Sequence, residues 1–354
     1  MNLIVNGHNI ITIILVTFIT SLIITPIIKK IAIHVNALDI PNERKIHKIA
    51  TPRMGGLAIF LAFMLGYMLY ARESTMMLSV LMGSFLIILC GMVDDINPVK
   101  AKYKFIVQLI SAATVCIYGN LILNEITIFG MTFLFNSPWN YVITIMFIVA
   151  IMNIINLIDG IDGLASGIST IYFITISIIA IILNQRGGLD IILSLIMAGA
   201  TLGFLFHNFP PATIFLGDTG SYFLGYIISI IALLGYKATT LTSIVIPISI
   251  LAIPIFDTAS AIIRRLLKHK NPFTNPDKEH LHHQFLKMKF TPRVTLIIIY
   301  FITILFSVIS VLFALGDQKQ AMIIYIALMI FLIIIVMKTD ILFDHKTKIF
   351  KRKK

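Results

Sequence analysis

Charged residues are scarce in this chain, and the scarcity excludes most soluble folds. Of its 354 residues, 12% are charged and 58% are hydrophobic, whereas a soluble domain carries about a quarter charged residues. Together with a mean hydropathy of +0.97, this composition predicts an all-α polytopic membrane protein. No stretch is long and polar enough to form a separate soluble domain.

Cysteine is nearly absent too, which argues against a fold held together by disulfides. Cys90 and Cys116 both lie inside apolar segments and are interpreted as small packing residues. Acidic residues are outnumbered, 16 against 28 Lys and Arg, for a net charge of +12. In a membrane protein such an excess marks cytoplasmic loops beside anionic lipid headgroups, so no nucleic-acid partner is expected.

Long apolar runs divide the chain into predicted membrane spans. Each run has roughly 17 to 22 residues, enough to cross a bilayer, and we predict about eleven. They start near residues 9, 54, 76, 105, 138, 164, 190, 219, 241, 294 and 320. The first run has no basic residue before it and Lys29-Lys30 after it, the reverse of a secretory signal. We therefore expect a retained helix with the N-terminus outside.

The distribution of Lys and Arg predicts the orientation of these spans. With eleven spans, 24 of the 28 basic residues fall on one side, which is predicted to be cytoplasmic and to include the C-terminus. The chain is then a single integral membrane domain over residues 1–338 with a basic tail over 339–354. The predicted cytoplasmic loops are 29–53, 94–104, 153–163, 207–219 and 264–293.

Five aspartates stand at the ends of apolar runs, where a carboxylate is costly and suggests a function. The predicted topology places all five aspartates on the cytoplasmic side, although they come from three separate loops. None has a Lys or Arg within four residues that would explain it as a local salt bridge. Carboxylates and amides gathered at one membrane face indicate a divalent metal and a phosphate substrate. The five are Asp94, Asp95, Asp159, Asp162 and Asp218.

The segment 153–163 has the most regular pattern of polar residues. Three-residue steps place them on adjoining parts of one helix face, and Gly160 and Gly163 predict a helix end. Their oxygens are hard ligands suited to Mg²⁺; the alternative is a polar helix end among lipid headgroups. The residues are Asn153, Asn156, Asp159 and Asp162.

Two other acidic sites each have a functional and a structural interpretation. The Asp94-Asp95 pair precedes Asn97-Pro98, which ends a helix, and nearby lysines either meet phosphates or simply balance a solvated helix end. Asp218, between two glycines, opens the next span. It either holds a metal against a phosphate at a helix N-terminus or serves only as an N-cap.

The loop 264–293 is basic and contains His280, His282 and His283. A zinc site is one interpretation, but there is no Cys and the ligand set is incomplete. A diphosphate clamp fits basic residues and imidazoles better, and a solvated loop at the headgroups is the third interpretation. The segment TPRMGG, with Lys48 before it, is either a substrate contact or a loop-to-helix junction.

Six segments, in this order, resemble the polyprenyl-phosphate N-acetylhexosamine-1-phosphate transferases. Among these, the chain looks most similar to the bacterial undecaprenyl-phosphate N-acetylglucosamine-1-phosphate branch. One departure is Lys278, where this branch often has Arg, so a bidentate phosphate contact would become a point contact. The segments are PRMGG, VDD, NIINLIDGIDGL, HNFPPATIFLGDTGS, IFDT and NPDKEHLHHQF.

The resemblance implies a reaction and a set of site residues. UDP-N-acetylglucosamine and undecaprenyl phosphate would give undecaprenyl-diphospho-N-acetylglucosamine and UMP, with Mg²⁺ or alternatively Mn²⁺. Asp94, Asp95 and Asp218 are the implied catalytic residues, and Asp94 or Asp95 would be the base. Asp218 and Asn156 would hold the metal. The implied substrate-binding residues are Lys48, Asp159, Asp162, Asn208, His280, His282 and His283.

The resemblance also implies a cellular setting. The enzyme would act in the cytoplasmic membrane, with its site on the cytoplasmic face, and would start a cell-wall glycopolymer. Heavy use of Ile, Lys and Asn suggests an AT-rich genome and favours teichoic acid as that polymer. The resemblance leaves room for a homodimer.

Three alternatives stay open at this point. The same chemistry could use another UDP-N-acetylhexosamine or UDP-MurNAc-pentapeptide. An ion-coupled transporter would place its carboxylates near the membrane midplane on broken helices, whereas these lie at span ends. A CDP-alcohol phosphotransferase would have Ala-Arg soon after its first Asp-Gly, whereas Asp159-Gly160 precedes Ile161-Asp162.

The charge distribution predicts an outcome for topology mapping. Single cysteine reporters near Lys278 and near Lys353 should react with an impermeant thiol reagent only from the cytoplasmic side. A reporter near Glu125 should react only from outside, because the basic residues divide 24 to 4 between the two faces. Labelling of the Glu125 and Lys278 reporters from the same side would contradict the predicted topology.

Overall fold

A computed structural model describes residues 4–40, 50–128, 131–183, 188–237, 245–267, 280–316 and 318–338. These residues are mostly helical, as the composition predicts. The chain divides into two compact units, Met1–Pro247 and Ile248–Lys354. Lys48, Lys278 and the tail 339–354 lie outside the described residues, so the expectations for them stay predictions.

The helices of the first unit begin and end where local chemistry predicts. Asn9 caps the first helix by accepting a hydrogen bond from the Ile11 N–H at 2.9 Å, and Ser74 caps the third from the Met77 N–H at 3.2 Å. Pro98 follows the end of the third helix. The helices are α1 (Ile10–His34), α2 (Gly55–Tyr70), α3 (Thr75–Ile96), α4 (Ala101–Ile117), α5 (Trp139–Ile158), α6 (Leu164–Ile182), α7 (Leu189–Asn208) and α8 (Gly217–Lys237).

Short antiparallel strand pairs connect some of these helices. Strands β1 (Ile4–Val5) and β2 (His8–Asn9) precede α1. Strands β3 (Leu38–Asp39) and β4 (Thr51–Pro52) pair between α1 and α2. Strands β5 (Glu125–Ile128) and β6 (Met131–Leu134) form a hairpin between α4 and α5.

The second unit is also helical over its described residues. In sequence, α9 (Val245–Ile250) crosses the boundary between the units. It is followed by α10 (Ala252–Leu267), α11 (Leu281–Lys287), α12 (Pro292–Ala314) and α13 (Gln318–Lys338). Thr291 caps α12 by accepting a hydrogen bond from the Val294 N–H at 3.3 Å. The neighbouring Pro292 suits the first helical turn, where a missing N–H costs nothing.

Seven of the described helices are long and apolar enough to cross a membrane: α1, α3, α5, α6, α7, α8 and α12. Gly55–Tyr70 and Gln320–Phe331 are shorter apolar helices. The chain is therefore a multi-pass membrane protein, while the count of eleven spans stays a prediction. The run expected to start near residue 241 is interrupted within its described part, because α9 ends at Ile250 and α10 starts at Ala252. Pro254, without an N–H, suits the first turn of this new helix.

Helix α8 lies in the interior of the first unit. Of its most apolar stretch, 89% is buried, against 28% in α1. Glycines permit its close approach to two neighbours: a Cβ on Gly56 would overlap Gly220, and a Cβ on Gly91 would overlap the backbone of Thr219. The first turn of α8 is therefore held between α2 and the last turns of α3, where the acidic residues are found.

Helix α1 shows how the apolar surface is divided between lipid and protein. Its outer face is exposed at every fourth residue and has the composition of a lipid-facing surface. Its inner face packs Thr17 and Ser21 against Gly199 and Gly203 of α7, an arrangement of small residues typical of membrane helices. The Thr17 hydroxyl bonds back to the Ile13 carbonyl at 2.9 Å. The exposed residues are Ile11, Leu15, Ile19, Ile23, Ile27 and Ile31.

Candidate active site

Asp95 connects the end of α3 to the beginning of α8. Its side chain has no exposed surface. One oxygen accepts the Asp218 N–H at 2.9 Å, and the other accepts the Thr219 N–H at 3.2 Å and the Thr219 hydroxyl at 2.6 Å. These N–H groups have no partner inside their own helix, so Asp95 caps α8 from a different helix. Gly217 adopts φ +73°, and a Cβ there would overlap the Asp95 carboxylate.

Asp94 has different partners from its neighbour. Its Oδ1 accepts the Val99 N–H at 2.7 Å, which closes the chain around the end of α3. The same oxygen lies 3.3 Å from the Lys104 ammonium. Asp94 therefore points toward the acidic cluster, while Asp95 is fully used in holding α8.

Lys104 of α4 joins two of the carboxylates. Its ammonium lies 2.8 Å from Asp218 Oδ2 and 3.3 Å from Asp94 Oδ1. Burial alone would lower the pKa of Lys104, but the Asp218 and Asp94 carboxylates raise it above its ordinary value. Lys104 therefore carries a positive charge between the two carboxylates.

Arg53 brings a second cation to the cluster, from the segment before α2. Its Nε lies 3.6 Å from Asp95 Oδ1 and its Nη1 lies 3.9 Å from Asp39 Oδ1. Burial acts to lower the pKa of Arg53, but Asp95 and Asp39 raise it overall. The surrounding backbone is fixed to the segment before α8, because the Gly55 and Gly56 N–H groups donate to the Phe215 and Leu216 carbonyls, both at 2.9 Å.

The two asparagines of α5 separate into different environments. Asn156 reaches the cluster, since its Nδ2 donates to Asp218 Oδ1 at 3.2 Å and to the Ser221 hydroxyl at 2.9 Å. Asn153 instead donates to Gln108 Oε1 at 2.7 Å, so it packs α5 against α4. The predicted metal pair, Asp218 and Asn156, is thus in contact.

Asp159 lies at the end of α5, close enough to the acidic cluster for the charges there to affect its pKa. Burial raises the pKa of Asp159 above its ordinary value; the Arg53 guanidinium opposes the shift, and the Asp218 and Asp95 carboxylates add to it. Asp159 is therefore a candidate to carry a proton or to meet a cationic or hydrogen-bonding ligand.

Asp162 and Asn208 hold together the loop that leads into α8. Asp162 Oδ2 accepts the Ala212 N–H at 2.9 Å. Asn208 is 2% exposed, its Oδ1 accepts the Gly163 N–H and the Ser166 hydroxyl, and its Nδ2 donates to the Ile214 carbonyl. Since the Asn208 side chain is used within the protein, its described contacts are structural, and substrate binding by both residues stays a prediction.

The predicted histidines lie in the second unit, around α11. His280 Nδ1 lies 2.9 Å from Asp257 Oδ2. The His282 ring is 2% exposed, and burial and the neighbouring His283 lower its pKa to about 3, so it is neutral near pH 7. His283 is half-buried and is therefore more accessible than His282.

Arg53 and Lys104 contact predicted carboxylates, and Asp257 contacts His280, but the sequence did not predict these pairings. Lys104 lies 114 positions from its partner Asp218 in the sequence, so no local pattern relates the two residues. The sequence did indicate the segments in which these three residues lie: PRMGG, the lysines after Asp95, and IFDT. Only the tertiary structure identifies the residues with which they pair.

This geometry defines a class of protein: a multi-pass membrane protein with buried carboxylates at its helix ends. Residues 77–236 match the family described as glycosyl transferase family 4. The chain is 44% identical to a probable undecaprenyl-phosphate N-acetylglucosaminyl 1-phosphate transferase of Bacillus subtilis, an alignment covering 96% of this chain and 95% of that protein. This chain therefore belongs to glycosyl transferase family 4.

More distant relatives extend the likeness. A decaprenyl-phosphate N-acetylglucosaminephosphotransferase of Mycolicibacterium smegmatis is 29% identical over 77% of this chain and 74% of its own length. An undecaprenyl-phosphate alpha-N-acetylglucosaminyl 1-phosphate transferase of Salmonella typhi is 28% identical over 77% of this chain and 75% of its own length.

The different contacts of Asp94 and Asp95 predict different effects on stability. Asp95→Asn replaces one buried acceptor oxygen by an NH₂ facing N–H and O–H donors, so it should destabilise the protein by about 1–3 kcal/mol. Asp94→Asn keeps an oxygen for the Val99 N–H and removes a charge facing Asp218, so its effect should be smaller. Thermal unfolding in detergent measures both; a larger loss in Asp94→Asn would contradict the assignment.

Proposed function

We propose that this chain transfers N-acetylglucosamine 1-phosphate from UDP-N-acetylglucosamine to undecaprenyl phosphate and releases UMP. The observation that carries the proposal is the 44% identity to the Bacillus subtilis protein over nearly the whole of both chains. The acidic cluster supports it, because the helices that provide Asp94 and Asp218 have the length and apolarity of membrane spans. A site at a span end suits one lipid substrate and one soluble substrate.

The proposed site faces the cytoplasm. Eleven spans with the N-terminus outside place the acidic residues on the side with most Lys and Arg. That side is where a cytosolic sugar nucleotide and an inner-leaflet lipid phosphate would meet. The cytoplasmic membrane is the proposed location.

The donor set of the cluster fits a hard divalent cation, for which we propose Mg²⁺, with Mn²⁺ as the alternative. Asp218 and Asn156 would hold it: turning the Asn156 amide over presents its oxygen beside Asp218 Oδ1. Among the residues that the structure describes, no three His, Cys, Asp or Glu side chains are arranged to hold a metal by themselves. Mg²⁺ commonly takes one or two carboxylates and completes its shell with waters and substrate phosphates. When bound, the ion would offset the charge of the diphosphate.

Asp94 is the proposed base that keeps the lipid phosphate ionised. It is the member of the pair that faces the cluster, whereas Asp95 supports α8. An oxygen of the lipid phosphate attacks the β-phosphorus of the donor, a new P–O bond forms, and the bond to the α-phosphate oxygen breaks to release UMP. A direct attack needs no covalent intermediate, because the lipid phosphate is already a nucleophile.

Lys104 and Arg53 offset the charge that two anionic substrates bring together. In the structure Lys104 already bridges two carboxylates, and its flexible stem allows the ammonium to turn toward a phosphate. Arg53 lies between Asp95 and Asp39 at the longer distances of 3.6 and 3.9 Å. We propose that Lys104 turns toward a substrate phosphate and that Arg53 contributes its charge from beside Asp95.

The remaining substrate contacts are proposals from chemistry. Asp159, with its raised pKa, is the strongest candidate to meet the uridine, followed by Asp162 and Asn208. Lys48, His280, His282 and His283 are proposed to contact the donor's diphosphate; His282, being neutral, would do so as a hydrogen-bonding group. Teichoic acid is the proposed downstream polymer.

A donor panel tests the proposal against its alternatives. Purified protein with undecaprenyl phosphate should convert radiolabelled UDP-N-acetylglucosamine to a labelled lipid faster than UDP-N-acetylgalactosamine, UDP-glucose or UDP-MurNAc-pentapeptide. Product lipids are identified by chromatography and mass spectrometry. Preference for another sugar nucleotide would show that the proposed donor is wrong. The absence of a lipid product with every donor would overturn the transferase function and favour the alternative of an ion-coupled transporter.

Asp218 provides the most direct mutational test of the site. Asp218→Asn should leave expression and membrane insertion unchanged but lower turnover by about 10²-fold or more, because one carboxylate is lost where charge must be stabilised. Ser84→Ala removes a buried hydroxyl within α3 whose described hydrogen bond goes to the Val80 carbonyl, and it serves as a control with near-normal activity. Wild-type rates for Asp218→Asn at saturating Mg²⁺ would exclude the metal role.

A further inference from the structure

The second unit contains a buried carboxylate, Asp257, to which no role has been given. Asp257 in α10 is 4% exposed. Its Oδ2 lies 2.9 Å from His280 Nδ1, and its Oδ1 accepts the Leu281 N–H at 2.8 Å. One carboxylate therefore holds both the imidazole ring of His280 and the backbone at the start of α11.

The contact with Asp257 determines how His280 presents its ring. A carboxylate only accepts hydrogen bonds, so Nδ1 of His280 carries the hydrogen. Nε2 is then the ring atom that a ligand would meet, the arrangement by which a carboxylate commonly orients a functional histidine.

The orientation extends from His280 to the next two histidines. The rings of His280 and His282 are stacked, with centroids 5.8 Å apart and planes 3° apart. The His282 and His283 rings lie 4.3 Å apart. We therefore expect a change at Asp257 to affect the placement of His282 and His283 as well as that of His280.

Helix α11 is short and has no cap from the residue before it. It has seven residues, and the His280 side chain makes no capping hydrogen bond. An isolated helix of this length is unstable in water. The hydrogen bond from the Leu281 N–H to Asp257 of α10 therefore helps to fix the start of α11.

We propose that Asp257 is a positioning residue for the donor substrate: by holding His280 and the start of α11, it aligns the histidines that meet the donor's phosphates. Asp257 itself does not touch the substrate. The inference rests on the proposed function for the role of the histidines, but the positioning itself is independent of it.

Kinetics of three variants test the proposal. Asp257→Asn keeps an oxygen for the Leu281 N–H but removes the charge beside His280, and His280→Gln removes the ring. Each should raise KM for the UDP-sugar on the order of tenfold, with KM for undecaprenyl phosphate nearly unchanged. The double variant should be no worse than the poorer single variant. Additive losses, or an unchanged KM for the UDP-sugar in Asp257→Asn, would overturn the coupling.

Hydrogen exchange separates failure of the positioning from failure of the proposed function. In Asp257→Ala, which removes the oxygens that accept from His280 and from the Leu281 N–H, the amides of residues 281–287 should exchange faster than in the wild type, whether or not any sugar nucleotide is used. Ser307→Ala, which removes a buried hydroxyl in α12 without a described partner, should leave both exchange and KM unchanged. Unaltered exchange in Asp257→Ala would refute the positioning, whereas an inactive wild type would refute only the proposed function.

Discussion

The hydrogen bonds from the first turn of α8 to Asp95 are the constraint on which the acidic site depends. They join the end of one buried helix to the beginning of another, at a point where glycines already bring the backbones together. The peptide groups at a helix N-terminus carry partial positive charge, so a buried carboxylate is stabilised there. Because Asp218 belongs to that same turn, its position relative to Asp94 follows from the contacts of Asp95.

The second constraint is charge balance at the membrane boundary. Buried carboxylates are tolerated only when cations or hydrogen-bond donors surround them. Arg53 and Lys104 supply the cations from two distant parts of the chain. Lys104 pairs with Asp94 and Asp218, which face the cluster, and Arg53 pairs with the buried Asp95. Lys104 therefore lies among the carboxylates proposed to take part in the chemistry, whereas Arg53 lies beside the carboxylate that supports α8.

Local patterns predicted the acidic site better than its partners. Apolar runs bounded by Asp, Asn and Gly located the helix ends, and the starts of most helices lie within a few residues of the predicted runs. The pairing of Lys104 with Asp218, and of Asp257 with His280, depends on helix packing over long sequence separations and has no local signal. For the same reason, Asn153 and Asn156 were indistinguishable in the sequence, although only Asn156 reaches Asp218. The interruption at Leu251 was missed because the composition there remains apolar.

In the proposed reaction, phosphorus moves to the lipid together with the sugar. Purified protein should be given UDP-N-acetylglucosamine labelled with ³²P at the β-phosphate, together with unlabelled undecaprenyl phosphate. The label should appear in the lipid product, and the UMP that is released should be unlabelled. Label retained in released UDP, with sugar on the lipid, would mean that the attack occurs at the sugar carbon and would contradict the roles assigned to Asp94 and Asp218.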